Sequence, residues 1–218
     1  MKPDLPYEAI IFDMDNTLLR SSINFPQIKS EVFALLCKEQ LLPPGFPVGD
    51  HTIATLIETA RHTPGMTPAL DQTVWEIVVE GERTGMAGAG LEPHVPEVLE
   101  RLHGRYPLTV LTNNAYQAAV EALERTGIIR FFEHIAGREQ MDALKPSSSG
   151  VAALLAHYPH IRPEKWLSVG DSWIDGKAAQ GGGVAFLAYN AKVAELVRRE
   201  VPFIGHIQSM RELLGFLE

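Results

Sequence analysis

The chain has 218 residues, a formal net charge of −8 and 45% hydrophobic residues, an ordinary composition for a globular protein with a sizeable core. An acidic chain without a Lys- or Arg-rich stretch is a poor candidate for binding nucleic acid or an anionic membrane. The one cysteine, Cys37, cannot form an internal disulfide, and its apolar helical surroundings predict a packed thiol. No apolar run has the length of a signal peptide or a membrane span, so the cytoplasm is the expected compartment.

Short apolar runs recur along the chain and predict buried strands at 9–12, 108–112, 166–170 and 184–189, with a shorter candidate at 134–136. Between them, apolar residues recur every three to four positions at 95–102 and 116–123, which predicts amphipathic helices. Gly127 follows the second helix as a C-terminal cap. Short apolar strands separated by amphipathic helices favour a parallel sheet with helices on both faces.

The stretch from about residue 24 to residue 90 departs from this alternation. It carries three consecutive helical stripes and no convincing strand, and Pro- and Gly-rich segments at 41–49 and 62–68 separate the stripes. We therefore expect a helical module inserted after the first strand. Residues 1–19 and 91–218 would form the α/β core and 20–90 the insertion, with 85–90 as the return hinge.

Acidic side chains follow two of the predicted strands. Asp13 and Asp15 come directly after the first strand, and Asp171 and Asp175 follow the strand at 166–170. In parallel α/β sheets, ligands bind beyond the carboxyl ends of the strands, so we expect these acids to converge. Together they can hold a hard divalent cation such as Mg²⁺, which prefers oxygen ligands.

Phosphate-binding groups are predicted at the same edge of the sheet. Thr112 and Asn113 end the second strand, and Lys145 stands in the loop after the 131–136 region. The Thr112 hydroxyl, the Asn113 backbone N–H and the Lys145 ammonium can hold the oxygens of a phosphoryl group.

In order and spacing, these residues resemble the haloacid dehalogenase-like superfamily. Its four ordered signatures correspond here to DMDNT at 13–17, Thr112, Lys145 and GDSWID at 170–175, and the resemblance covers the whole chain. The family implies a Rossmann-like parallel-sheet core, and the insertion resembles its small α-helical cap. Phosphoglycolate phosphatase-like and β-phosphoglucomutase-like members form the nearest branch.

The resemblance implies roles for the site residues. Asp13 would be the nucleophile, and Asp15 would protonate the leaving oxygen and then activate water. Magnesium would be held by Asp13, the Asp15 backbone carbonyl and Asp171, while Asp175 would orient Lys145 or a metal-bound water. The implied activity is that of a Mg²⁺-dependent phosphatase acting on a small phosphorylated metabolite through an aspartyl-phosphate, with Thr112 and Lys145 as further catalytic residues.

The same residues bear on other members of the superfamily and on one class of protein outside it. A phosphomutase of the β-phosphoglucomutase type shares all four signatures and stays open. Asp15 disfavours the dehalogenase branch, because halide leaves without a proton. Phosphonoacetaldehyde hydrolase-like members need a cap lysine that forms an imine, whereas Lys29 and Lys38 lie in a solvated pattern. A phospho-aspartate receiver domain, which would be a signalling module, is disfavoured because GDSWID follows Lys145.

Two residues depart from the family pattern. Asn114 stands where Lys or Ser is common, and we interpret it as structural. Arg20 replaces an acid that many phosphatases of this cap type carry after the first signature. The guanidinium could bind a second anionic group of the substrate, and the alternative is a solvated hinge arginine.

Overall fold

The structure, a computed structural model, describes residues 6–217 of the chain. Its strands, numbered in chain order, are β1 (Ala9–Phe12), β2 (Leu19–Arg20), β3 (Gly90–Leu91), β4 (Leu108–Leu111), β5 (His134–Ala136), β6 (Trp166–Gly170), β7 (Ala185–Tyr189) and β8 (Gly205–Ile207). Its α-helices are α1 (Phe25–Lys38), α2 (Ile53–Arg61), α3 (Pro68–Met86), α4 (Val95–Leu102), α5 (Tyr116–Arg125), α6 (Ser149–Ala156), α7 (Trp173–Gly181) and α8 (Val193–Arg198). Short 3-10 segments lie at Val48–Asp50, Ile129–Phe131, Arg138–Gln140, Pro163–Lys165 and Met210–Phe216.

The described chain divides into two compact units. One is made of the residues up to Ser21 and from Ala89 onward, and the other is made of Ser22–Gly88. The sequence places the two boundaries after residues 19 and 90. The first unit is the α/β core, and the second contains only helices and turns among its secondary-structure elements.

The core contains a six-stranded parallel sheet in the order β5-β4-β1-β6-β7-β8 with flanking helices, which confirms the predicted α/β fold class. Strand β1 is central, because Ile10 aligns with Leu108 of β4 on one side and with Leu167 of β6 on the other. All four residues of β1 are buried. A strand paired on both edges and covered on both faces needs a continuous apolar run, which is what the sequence shows there.

The strand bounds agree with the sequence where an apolar run ends at a polar or glycine residue. Strands β1, β5 and β6 have the predicted limits, whereas β4 ends at Leu111 and β7 begins at Ala185. Strand β8 was not predicted, because Gly205–Ile207 is too short to show a pattern. Its stability comes from pairing with β7, where Leu187 aligns with Gly205.

A two-residue antiparallel ladder corrects the expectation that no strand occurs between residues 24 and 90. Leu19 aligns with Leu91 and Arg20 with Gly90, so β3 begins inside the stretch expected to be a hinge. The N–H of Glu92 also donates to the carbonyl of Leu18 at 3.0 Å. A pair of this length is set by backbone hydrogen bonds and leaves no alternating pattern in the sequence.

The helical unit has its own apolar core. Each of its three helices contributes one stripe of buried residues, and the turn after α1 contributes two more. The buried residues are Ile28, Val32, Leu36, Leu41, Leu42, Leu56, Ile57, Ala60, Val74 and Val78. Cys37 is a half-buried free thiol on α1. The solvated pattern predicted for Lys29 is wrong: its Nζ donates to the carbonyls of Val48 at 3.0 Å and His51 at 2.6 Å, and thereby holds the turn before α2. No helix in the described part of the chain is long and apolar enough to cross a membrane.

Candidate active site

The acids of the first and last signatures follow adjacent strands of the sheet. Asp13 comes directly after β1, and its N–H donates to the carbonyl of Val169 in β6 at 2.9 Å. Asp171 follows β6 by one residue, and Asp175 lies in the first turn of α7. The pairing of β1 with β6 therefore brings two distant sequence signatures to one edge of the sheet, as the sequence predicts for ligand sites of parallel sheets.

Lys145 occupies the centre of this group. Its Nζ donates to Oδ1 of Asp13 at 2.6 Å, to Oδ1 of Asp175 at 2.7 Å and to the carbonyl of Leu111 at 2.9 Å. These three acceptors match the three hydrogens of an ammonium group. Burial alone would lower the pKa of Lys145, but the two carboxylates raise it above its usual range, so the lysine is a fixed positive charge.

One lysine does not neutralise the acids around it. A carboxylate oxygen from each of Asp13, Asp171 and Asp175 lies within 4.8 Å of the others. Burial, followed by repulsion from Asp175, raises the pKa of Asp13 to about 7. Burial, followed by repulsion from Asp13, raises the pKa of Asp171 to about 8. Excess buried negative charge on oxygen donors fits a hard divalent cation, and the residues present therefore suit a metal of that class.

The carboxylate of Asp175 is engaged through both of its oxygens. Oδ1 accepts from Lys145 Nζ, while Oδ2 accepts from the backbone N–H of Ser172 at 3.1 Å and thereby caps the start of α7. A carboxylate fixed in this way is suited to orienting Lys145 and the residues next to a cation. The oxygens of Asp13 and Asp171 are the better candidates for direct ligands.

Asp15 has a different environment from Asp13. Its Oδ2 accepts from Nδ2 of Asn114 at 2.7 Å, and its buried Oδ1 has no hydrogen-bond partner among residues 6–217. Burial raises the pKa of the Asp15 carboxyl, and the nearby Ser21 hydroxyl and the Asn114 amide partly oppose this. The two aspartates of the first signature therefore have different partners. Asp13 accepts a hydrogen bond from the ammonium of Lys145, and Asp15 accepts one from the side-chain amide of Asn114.

Thr112 and Asn113 lie beside this group. Thr112 is 1% exposed, and its hydroxyl accepts from the N–H of Asn114 at 3.2 Å, which leaves the hydrogen of the hydroxyl for another acceptor. The side-chain amide of Asn113 bonds twice to the backbone of Lys145, donating to its carbonyl at 3.0 Å and accepting from its N–H at 2.8 Å. This reciprocal pair fixes the Lys145 loop against the end of β4.

Arg20 does not join the buried group. It lies on β2 with its side chain 64% exposed, and its Nε is 3.3 Å from Oε1 of Glu92. The other carboxylate oxygen of Glu92 accepts from the hydroxyl of Tyr189, at the carboxyl end of β7, at 3.0 Å. Sequence analysis missed Glu92, because an isolated glutamate after a glycine-rich segment carries no signal of its own.

For Asn114, which the sequence leads us to interpret as structural, the contact with Asp15 was not predicted. Asn114 is 2% exposed, and its side chain contacts the carboxylate of Asp15 directly. The available signal was its place at the same strand end as Thr112. A buried carboxylate paired with a lysine, beside an acidic group that could hold a cation at the carboxyl edge of a parallel sheet, is an arrangement suited to an enzyme that handles phosphoryl groups.

Comparison with known proteins agrees with this class. The sequence model for haloacid dehalogenase-like hydrolases matches residues 10–189, and the chain belongs to this family. It is a phosphatase-type hydrolase.

Several relatives match most of the length of the chain. A phosphoglycolate phosphatase of Rhodobacter capsulatus is 27% identical over 96% of this chain and 96% of its own length. A phosphoglycolate phosphatase of Chromobacterium violaceum is 31% identical over 83% of this chain and 84% of its own. The structure of a subfamily IA hydrolase of the same superfamily from Geobacter sulfurreducens superimposes with a TM-score of 0.65 at 20% identity, covering 99% of this chain and 98% of its own. These relatives place the chain in the phosphoglycolate phosphatase-like branch, and the last of them agrees in fold.

Proposed function

We propose that the protein is a Mg²⁺-dependent phosphatase that hydrolyses a small phosphorylated metabolite through an aspartyl-phosphate intermediate. The observation that carries the proposal is a pair of hydrogen bonds from Lys145 Nζ to the carboxylates of Asp13 and Asp175. The carboxylate of Asp171 lies beside them. The Lys145 ammonium favours the ionised form of Asp13, which is the form that attacks, and the excess negative charge of the acids calls for a cation in addition.

In the first step, an oxygen of Asp13 attacks phosphorus, so that an Asp13–phosphorus bond forms and the ester bond breaks. Asp15 gives its proton to the leaving oxygen. In the second step, a water molecule attacks phosphorus, the Asp13–phosphorus bond breaks, and Asp15 accepts the proton of the water. The two aspartates perform different tasks because their surroundings differ.

The phosphoryl oxygens need donors during both steps. The Thr112 hydroxyl already accepts one hydrogen bond and so presents its own hydrogen, and the ammonium of Lys145 lies next to Asp13. The backbone N–H of Asn113 is the third donor in this proposal. Fixed donors around a transferring phosphoryl group stabilise the charge that develops on its oxygens.

The cation belongs among the carboxylates. Mg²⁺ would be held by Asp13, Asp171 and the backbone carbonyl of Asp15. Asp175 would orient Lys145 or a metal-bound water. When bound, the ion would neutralise charge on the phosphoryl oxygens and lower the repulsion between Asp13 and an anionic substrate.

A small phosphorylated carboxylic acid is the first substrate to test, because the curated relatives are named phosphoglycolate phosphatases. Arg20 is the proposed contact for the second anionic group of such a substrate. That group would compete with Glu92, which now pairs with the Arg20 guanidinium.

The test is phosphate release from a panel of phosphorylated metabolites with Mg²⁺, with 2-phosphoglycolate and glucose 1-phosphate among them. We expect inorganic phosphate from at least one carboxylated substrate. Conversion of glucose 1-phosphate to a phosphate-retaining isomer, dependent on a bisphosphate primer, would instead identify a mutase. Absence of turnover over the whole panel would refute the proposal.

A further inference from the structure

Asn114 is held firmly from both sides of its backbone. Its N–H donates to the Thr112 hydroxyl at 3.2 Å, and its carbonyl accepts from the N–H of Arg138 at 2.8 Å. The residue is 2% exposed, and its Nδ2 lies 2.7 Å from Oδ2 of Asp15. A buried amide fixed in this way places a defined donor beside Oδ2 of Asp15, and the Ser21 hydroxyl is a second polar neighbour of the same carboxyl.

The chemistry of that neighbour distinguishes the two oxygens of Asp15. An amide NH₂ only donates, so the oxygen that accepts from it cannot point its own proton the same way. If the side-chain amide of Asn114 were rotated by half a turn, its Oδ1 would face Oδ2 of Asp15 at the same distance. Two oxygens so close together repel each other while Asp15 is ionised. Because Oδ2 accepts from this amide and Oδ1 has no hydrogen-bond partner among the described residues, Oδ1 is the favoured place for the proton that Asp15 carries.

We propose that Asn114 is a positioning residue that assigns the transferable proton of Asp15 to Oδ1 and aims it at the leaving oxygen. The inference rests on the proposed function, in which Asp15 is the general acid. It replaces the interpretation of Asn114 as purely structural. A serine at this position would not do the same, because its hydroxyl is shorter and both donates and accepts.

The consequence is a specific dependence on the leaving group. A p-nitrophenolate ion leaves without a proton, whereas an alkoxide needs one, and a positioned general acid contributes about 10²–10⁴-fold to the rate. The parameter kcat/KM covers the steps up to departure of the leaving group, so later hydrolysis of the aspartyl-phosphate does not affect it. Loss of the Asn114 amide should therefore slow poor leaving groups selectively.

The experiment measures kcat/KM for aryl phosphates of increasing phenol pKa and for one alkyl phosphate. For Asn114→Ala, we expect the ratio of p-nitrophenyl phosphate to alkyl phosphate to rise at least about tenfold over wild type. Asn114→Ser serves as a second variant in case the alanine does not fold, and we expect the same change. Asp15→Asn should raise the ratio further.

Asn113→Ala is the matched control, because it removes the same kind of side chain one residue earlier. The amide of Asn113 bonds to the backbone of Lys145 and not to Asp15. We expect it to lower all rates evenly, with the ratio unchanged. In the Asp15→Asn background, Asn114→Ala should have no further effect on the ratio, since residues that act as a unit are not additive.

The outcomes separate the two proposals. Wild-type enzyme inactive on the whole series would refute the proposed function, and the inference with it. Active wild type with an unchanged ratio in both Asn114 variants would overturn the inference alone. An independent effect of Asn114→Ala in the Asp15→Asn background would also overturn it.

Discussion

The ammonium nitrogen of Lys145 lies 2.6 Å from Oδ1 of Asp13, although the two residues are 132 positions apart in the chain. Each is buried, and each depends on the other for charge compensation. The contact exists only when β1 and the loop that carries Lys145 are both in place. The charge state of the site and the integrity of the core fold are therefore linked.

Replacing Lys145 should destabilise the protein strongly. Lys145→Met leaves the Asp13 and Asp175 carboxylates buried without their cation, and removing one member of a buried ion pair costs about 3–5 kcal/mol. Urea denaturation measures the free energy of unfolding. Lys177→Met is the control, because its amine bonds to Gln180 and Glu200 in an exposed setting and its loss should change stability by less than about 0.5 kcal/mol. Equal stability of the two variants would contradict the role of Lys145.

Asp13→Asn should abolish turnover while the protein still folds. The amide keeps the shape of the side chain but cannot attack phosphorus, so kcat should fall at least about 10³-fold. Thermal melting checks that the variant is folded. Activity within tenfold of wild type would exclude Asp13 as the nucleophile.

The metal-free protein should lose stability as the pH rises. Burial is the main cause that raises the pKa of Asp13 to about 7 and the pKa of Asp171 to about 8. The pKa of an aspartate in an unfolded chain is about 3.9. Between these values the folded state holds protons that the unfolded chain has released, so the free energy of unfolding falls with increasing pH. Melting temperatures in EDTA from pH 5.5 to 8.5 test this.

Two comparisons sharpen the pH experiment. Asp171→Asn should flatten the decline, because it removes one of the groups that must ionise. Excess Mg²⁺ should raise the melting temperature most at the alkaline end, where the carboxylates are charged. A melting temperature that is independent of pH in EDTA would mean that these carboxyls titrate normally.

Chelation should remove activity, and the choice of metal should decide whether it returns. EDTA is expected to stop turnover, Mg²⁺ to restore it, and Ca²⁺ to be a poor substitute, because Ca²⁺ prefers more ligands and looser geometry. Phosphate release after dialysis into each ion measures this. Undiminished activity in excess chelator would be incompatible with the metal role proposed for Asp171.

Arg20→Ala tests whether the exposed arginine contacts the far end of the substrate. If it binds a second anionic group, KM for the best carboxylated substrate should rise at least about tenfold. Activity on p-nitrophenyl phosphate, which lacks that group, should change little. Equal losses on both substrates, or none on either, would leave Arg20 as a partner of Glu92 only.

The sequence predicts the edge of the sheet that carries the candidate site well, because the ends of β1 and β6 are visible in the local sequence. In β1 a continuous apolar run stops at Asp13, and in β6 it stops at Gly170, next to Asp171. These residues follow from local patterns and from the position of ligand sites in parallel sheets. For Lys145 the sequence indicates only a loop near this edge, and the structure adds that its ammonium donates to both Asp13 and Asp175.

The contacts that the sequence does not predict join residues far apart in the chain. Asn114 contacts Asp15, 99 positions away, and Glu92 accepts from Tyr189, 97 positions away. No periodicity or spacing encodes such pairs. Strand β8 is similar, since its three residues form a strand only because β7 offers an open edge.

The short ladder between β2 and β3 has a consequence for how such an enzyme can diversify. Because Arg20 and Gly90 are direct partners across two antiparallel strands, the chain leaves the core and returns to it at a single point. A hairpin turn could close that point without moving any strand of the six-stranded sheet. Ser22–Gly88 can thus change in length and sequence, or be exchanged for another module, while the carboxylates at the ends of β1 and β6 keep their places.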